Sequence, residues 1–243
     1  MDSLEKKIIL ITGGANGIGK ETAIKLSNNN TVIVIDSDKL GCSLLNKEHK
    51  NIAVYNEDIT NYNKMDELIN DLFRKYEKID ILINNAAIQT VSNIMDLSLN
   101  EWQNVINVNL TATFYMTKLV GRQMKENSTI LNIISTHYNK PRVDKLHYDV
   151  SKAGVAMLTK GFAMELASKK ITVNALAIGA TYSPMNKCFE ENKEIENQAR
   201  EKIPLKYISK SSDIATHIYN ILRDFSDYTT GSIFVIDGGR NLI

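Results

Sequence analysis

Proline is nearly missing from this chain. Three occur in 243 residues, at Pro141, Pro184 and Pro204, each standing alone. That excludes a polyproline module and a Pro-rich linker between domains. Cysteine is rarer still. Cys42 and Cys188 lie far apart, without the close spacing of a metal set, so two reduced thiols and no metal site are expected. An excess of one charge is lacking too, since 29 Lys and Arg face 28 Asp and Glu, for a net charge of +1. Such a balance gives no electrostatic reason for a nucleic-acid or anionic-membrane partner. No apolar run approaches the ~20 residues of a membrane span, and the opening residues carry charge but no apolar signal core. A cytoplasmic protein that meets a small molecule is the expectation. Repeats with a period of roughly 20–50 residues are also missing, so one domain spanning residues 1–243 is expected.

What is present is alternation. Short β-branched apolar runs at residues 8–11, 31–35, 52–55, 79–83, 130–134, 171–178 and 233–236 read as strands. Helical spacing separates them at residues 20–26, 100–125 and 153–166, and Met65, Leu68, Ile69, Leu72, Phe73 and Tyr76 fall on one helical face. Nearly continuous apolar strands imply a parallel sheet covered on both sides. Right-handed crossovers then give an α/β, Rossmann-type doubly wound sheet of about seven strands with helices on both faces. Residues 190–202 are highly charged and weakly apolar, which suits an exposed helical lid.

The first strand runs into Thr12-Gly13-Gly14-Ala15-Asn16-Gly17-Ile18-Gly19. Gly13 allows a sharp turn, Gly17 lets backbone approach a pyrophosphate, and Gly19 permits close helix–strand packing. The helix that follows offers free N–H groups and a positive dipole end to phosphates. The glycine spacing departs from the commoner G-x-G-x-x-G. Asp36 ends the second strand, where a carboxylate can accept hydrogen bonds from ribose hydroxyls and would repel a 2′-phosphate. Neither Ser37 nor Asn16 brings a positive charge. These residues favour NAD over NADP. Asp36 would also serve as a helix N-cap ahead of Ser37 and Asp38, and the two roles are compatible.

Tyr148 and Lys152 lie four residues apart at the start of a helix, so they share a face. An unperturbed phenol titrates near 10, too high for acid–base work at neutral pH, and a neighbouring ammonium favours its ionised form. Ser135 ends the fifth strand. Asn109 lies on the long helix, and Asn84-Asn85-Ala86-Ala87 ends the fourth strand.

In these positions the chain resembles the short-chain dehydrogenase/reductase family in its compact form. The likeness runs the length of the chain, through Thr12 to Gly19, Asp58, Asn84 to Ala86, Asn109, Ser135, Tyr148 and Lys152. It continues at Asn174, Gly179, Pro184, Met185, Asp213, Gly231 and Asp237-Gly238-Gly239. The resemblance implies roles. Tyr148 would exchange the proton on the substrate oxygen, and Ser135 would polarise that oxygen. Lys152 would lower the tyrosine pKa and bind the nicotinamide ribose. Asn109 would hold a water that links Lys152 to a proton relay. Asp58 and Ile59 would line the adenine pocket, Asn85 and Ala86 would sit beside the cofactor, and Gly179, Thr181 and Ser183 would border its nicotinamide and diphosphate. A homotetramer is implied as well, joined through helices at residues 102–125 and 148–167 and through the last helix and strand near residues 231–237.

Four positions depart from the family pattern. Ala87 replaces a usual Gly, Ile178 a Pro, Ser183 a Thr and Tyr207 an Arg. Ala87 puts a positive φ in doubt and Ile178 removes a fixed φ, so cofactor affinity and loop order are the properties at stake. Between Ser135 and Tyr148 the chain is polar and cationic, with His137, Lys140, Arg142 and Lys145. His137, two residues past Ser135, is placed to hydrogen-bond a substrate, so a small polar substrate such as a sugar, polyol or hydroxy acid is expected. A solvated surface loop is the alternative for this stretch. Residues 182–205 would close over the substrate. The expected activity is hydride transfer between NAD(H) and a secondary alcohol or ketone. An NADPH-linked 3-oxoacyl carrier-protein-type ketoreductase and a non-catalytic dinucleotide-binding regulator are the alternatives.

Overall fold

The computed structural model describes residues 4–224 and 227–243. Seven parallel strands form one sheet: β1 (Ile8–Thr12), β2 (Thr31–Asp36), β3 (Ile52–Asn56), β4 (Ile81–Asn84), β5 (Thr129–Ser135), β6 (Thr172–Ile178) and, last in the chain, Ile233–Ile236. A two-stranded ribbon of β7 (Thr181–Tyr182) and β8 (Ser209–Lys210) stands beside it, which makes Ile233–Ile236 β9. The order across the sheet is β3-β2-β1-β4-β5-β6-β9. The chain therefore winds outward from β1 in one direction and then from β4 in the other. The crevice beyond the carboxyl ends of β1 and β4 is where ligands bind in such sheets.

The apolar runs form strands because each buries both faces. On one face Leu10, Ile33, Ile35, Leu82 and Ile130 pack against α3 (Tyr62–Tyr76) and α5 (Ala112–Gln123). On the other, Ile9, Ile11, Val32, Val34 and Ile83 pack against α1 (Gly17–Leu26), α2 (Lys39–Glu48) and α9 (Ser211–Asp224). Burying each such side chain contributes roughly 1.5–3 kcal/mol, so the alternation itself fixes the layering. The expected face of α3 is the one that turns inward, with Met65, Leu68, Ile69 and Leu72 buried.

Three boundaries differ from expectation. The helix expected over 100–125 is three pieces: α4 (Leu99–Ile106), a π-helical segment (Asn107–Thr111) and α5. The helix expected from 153 is α6 (Leu146–Leu166), so Tyr148 and Lys152 lie in its first two turns. The segment expected as a lid contains two helices, α7 (Cys188–Glu191) and α8 (Lys193–Glu201), split at Asn192, whose side chain accepts from Glu194 N and Ile195 N and so caps α8. Among the described residues no helix is long and apolar enough to cross a membrane.

Candidate active site

The carboxyl ends of β1, β2, β4, β5 and β6 carry Thr12, Asp36, Asn84, Ser135 and Ile178. Along this edge lies a cavity of about 930 Å³. Gly13, Asn16, Gly17, Ile18 and Asp36 line one end of it, with Asp58 and Ile59 beside them. Asn85, Ala86, Gly179, Thr181 and Ser183 line its middle, and Ser135, His137, Tyr148 and Lys152 the other end. Gly19 and Asn109 are the two expected residues that stand behind the wall.

The glycine turn is a cradle that side chains would fill. A methyl at Gly13, which has φ +66°, would meet Ala86 Cα at 2.6 Å. One at Gly19 would meet the Gly13 carbonyl oxygen at 2.1 Å, so Gly19 does serve close packing. Gly17 has φ +52°, and a methyl there would lie 3.0 Å from Pro184 Cδ at the start of the lid. Its freedom thus serves the lid as well as the approach of a ligand. No side chain caps α1, whose N-terminus opens at Asn16. The first N–H groups of the helix therefore remain for an anion.

Asp36 holds this turn in place, since Oδ2 accepts from Ala15 N at 2.9 Å and Oδ1 from Asp38 N at 2.9 Å. It does not cap α2. Asp38 does, accepting from Leu40 N at 3.0 Å, and it also accepts from Asn16 Nδ2 at 2.7 Å. Asn85 faces the cavity, yet its amide is spent on the chain, donating to Gly13 O at 2.7 Å and Thr12 O at 3.2 Å. Uncapped N–H groups, a glycine cradle and a ribose-range carboxylate together fit a dinucleotide.

At the other end Tyr148 is buried. Burial pushes its phenol up to about 12, opposed by the charge on Arg142 and by a hydrogen bond with Ser135. Lys152 is buried too, and desolvation holds its ammonium down to about 8. Its Nζ donates to Ile133 O at 3.0 Å and lies 5.7 Å from the Tyr148 ring centre. A second cation stands beside the ring, since the Arg142 guanidinium carbon lies 5.3 Å from its centre, and its charge favours the ionised phenol.

Asn109 Oδ1 accepts from Ile88 N at 2.8 Å, and its Nδ2 donates to Ile88 O at 2.9 Å and Ser151 Oγ at 3.0 Å. The side chain ties the cavity wall after β4 to α6, at the point where the helix widens to a π turn. Ser135 Oγ accepts from His137 N at 3.2 Å, so it holds its turn and lines the cavity at once. His137 lines the cavity with Nδ1 against Lys140 O at 2.8 Å, and burial lowers its pKa to about 4, leaving it neutral.

The departures from the family pattern are accommodated. Ala87 lines the cavity without a positive φ. Ile178 completes β6, in register with Ser135 and Ile236. Tyr207 donates to the Asp213 carboxylate. Arg142 was not singled out from the sequence, although it lines the site. Its partner Asp149, 2.8 Å away, is seven residues along and one past Tyr148. An acid in that buried place was the available signal.

The chain matches the family model described as enoyl-(acyl carrier protein) reductase over residues 13–241. It is 36% identical to the 3-oxoacyl-(acyl-carrier-protein) reductase of Thermotoga maritima, over 97% of this chain and 98% of that one. Glucose 1-dehydrogenase 2 of Bacillus subtilis is 30% identical over 98% of this chain and 96% of its own. A solved structure described as ElxO with NADP bound shares 28% identity, with a TM-score of 0.91 over 98% of this chain and all of that one, 100%. A match of this extent, on a seven-stranded parallel sheet with a dinucleotide cradle at its switch point, makes the chain a member of the short-chain dehydrogenase/reductase family, oxidoreductases that act on CH–OH groups.

Proposed function

We propose that this protein transfers a hydride between NAD(H) and a small polar secondary alcohol or ketone, with Tyr148 as the proton donor and acceptor. The observation that carries the reaction type is the burial of Tyr148 and Lys152 side by side at the end of one cavity. Bound there, the nicotinamide supplies or takes up the hydride. The protein's share is position and protons. Burial keeps the Tyr148 phenol protonated at neutral pH, ready to donate to a carbonyl oxygen as it gains charge. Ser135, on the same wall, steadies that oxygen. Lys152 remains largely an ammonium at pH 7, and its donors beyond the one given to Ile133 O serve the ribose.

NAD is favoured by charge. The ribose end of the cavity is lined by three carboxylates, those of Asp36, Glu57 and Asp58, and among the described residues by no Lys or Arg. A 2′-phosphate would stand against all three. The name of the Thermotoga relative supports a second reading, an NADPH-linked ketoreductase for carrier-bound 3-oxoacyl groups. Turnover of one ketone with NADH and NADPH separates the two. NADH should be preferred by more than about tenfold, and Asp36→Ala should cut the preference by about 1–2 kcal/mol of differential affinity, in line with loss of a charge-assisted hydrogen bond. An equal or reversed wild-type ratio would sink the NAD assignment.

A homotetramer in the cytoplasm completes the proposal. Its support is apolar surface on α5 and α6, where Phe114, Met157 and Met164 are exposed. Sedimentation of a monomer at micromolar concentration would refute it.

A further inference from the structure

The cavity is divided by charge. Its acidic lining residues are Asp36, Glu57 and Asp58, all at the ribose end. Past Ser135 the ionisable lining is basic, with Arg142, Lys145, Lys202 and Arg240 around the buried Lys152. The acids near these cations in sequence are engaged, Asp144 accepting from Asn93 Nδ2 at 3.4 Å and Glu201 pairing with Lys206 at 2.9 Å. Asp149 stands behind Arg142, its Oδ1 2.8 Å from Nη2 and its Oδ2 accepting from Arg142 N at 2.7 Å. The Asp237 carboxylate accepts from Gly239 N at 2.8 Å and Asn241 N at 2.9 Å. The cations also push on one another. The charge on Arg142 lowers the pKa of both Lys145 and Arg240, adding to the burial that already disfavours their charged forms.

Mutual repulsion of half-buried cations raises the energy of the free site, and a bound anion relieves it. The arrangement of Arg142 says where that anion sits. Nε and Nη2 are given to Asp149, and Nη2 also to Gln89 Oε1 at 3.3 Å. Both Nη1 donors are without a protein partner among the described residues. The guanidinium is therefore fixed in direction, beside the Tyr148 ring, with a free edge. Asp149 balances part of the Arg142 charge. A neutral sugar or polyol would still leave the Nη1 edge without an anion, along with Lys145 and Arg240, which make no ion pair among the described residues.

We infer that the substrate carries a carboxylate, held by Arg142 with Lys145 and Arg240, so that the protein acts on a short-chain hydroxy or oxo acid. The Arg142 guanidinium carbon stands 5.3 Å from the Tyr148 ring centre, so one short substrate would carry both the carboxylate and the reacting carbon. The inference rests on the dehydrogenase reading above for its chemistry, but not for its binding site.

Two measurements keep the two readings apart. In the first, the NADH-loaded protein is melted with malonate and with malonamide. Malonate should raise the melting temperature and malonamide should not. Arg142→Met should remove the malonate effect. Because Arg142 also braces its loop, Lys145→Met and Arg240→Met are tested beside it, and each should weaken malonate by at least about tenfold, as loss of one charge-assisted contact predicts. In the second, turnover with NADH is compared for 2-oxobutanoate and 3-oxobutanoate, their methyl esters and a 3-oxoacyl thioester. The free acids should exceed both neutral forms by tenfold or more in kcat/KM, mostly through KM. Equal effects of malonate and malonamide, or esters and thioester used as well as acids, overturn the carboxylate assignment while leaving the dehydrogenase standing. Malonate binding with no turnover of any carbonyl compound overturns the dehydrogenase and leaves the anion site standing.

Discussion

The two ends of the cavity are built from different materials. At the ribose end the chain presents backbone, and the side chains that reach it are themselves tied to backbone, as Asp36 is to Ala15 N and Asn85 to Gly13 O. At the far end it presents long side chains from a loop, Arg142 and Lys145, and from a short turn near the C-terminus, Arg240. The first end recognises by exclusion, because an added methyl group has nowhere to go. The second recognises by charge, and its shape depends on which partner each side chain finds. Precision therefore belongs to the ribose end and adaptability to the other.

The comparison is sharpest at Tyr148, which stands at the far end. Tyr148→Phe removes the proton and little volume. It should lower kcat by about 10³-fold, within the range for a lost general acid, while NADH affinity by fluorescence titration stays within a factor of two or three. A comparable loss of NADH affinity would mean the ends are not separable. Gly19→Ala attacks the ribose end alone. The new methyl would lie 2.1 Å from Gly13 O, so NADH should bind about 10- to 100-fold more weakly, the overpacking cost of a rigid site. Wild-type NADH affinity in that variant would show the cradle to be softer than its contacts suggest.

The smallest effect should come from the lid. Glu196 on α8 is covered and joined to Lys193 at 2.6 Å, Arg200 at 2.7 Å and the Tyr182 hydroxyl at 2.5 Å. These partners hold its carboxyl at about 2, below the usual range, so the tie is intact above ordinary carboxylate pKa values and fails only as pH falls through about 2. Glu196→Gln should loosen α8 and raise substrate KM a few-fold, as expected for a lid held partly by one network, with kcat and NADH affinity little changed. A shift confined to NADH affinity would place the lid's influence at the wrong end.

How much of this could be read beforehand follows the same division. The strands were legible because two-sided burial demands unbroken apolar runs, as in residues 8–11. Gly13, Gly17 and Gly19 were legible because steric limits act through local sequence, as were Tyr148 and Lys152 through helix spacing. The π turn at Asn107–Thr111 was not, and Asn109 within it bonds to Ile88, 21 residues away, a contact that local spacing does not show. Arg142 was equally hidden. A cationic loop looks the same in sequence whether it points to solvent or, pinned by Asp149, along a tyrosine ring. The N-cap of α2 reads from the sequence as Asp36 and is Asp38, because two acids precede the helix and only backbone geometry chooses between them.

The interlock between the first turn and the end of β4 bears on how such a chain can diversify. Gly13 has no room on its Ala86 side, and Asn85 is bonded to Gly13 O at 2.7 Å across 72 positions of sequence. Neither segment can gain or lose a residue unless the other changes in step. The segment from 182 to 205 lines the cavity and approaches the glycine turn at Gly17 through Ser183 and Pro184. Insertions, deletions and new side chains can therefore accumulate beyond that contact. A new acceptor can be selected there while the nucleotide cradle is inherited unaltered.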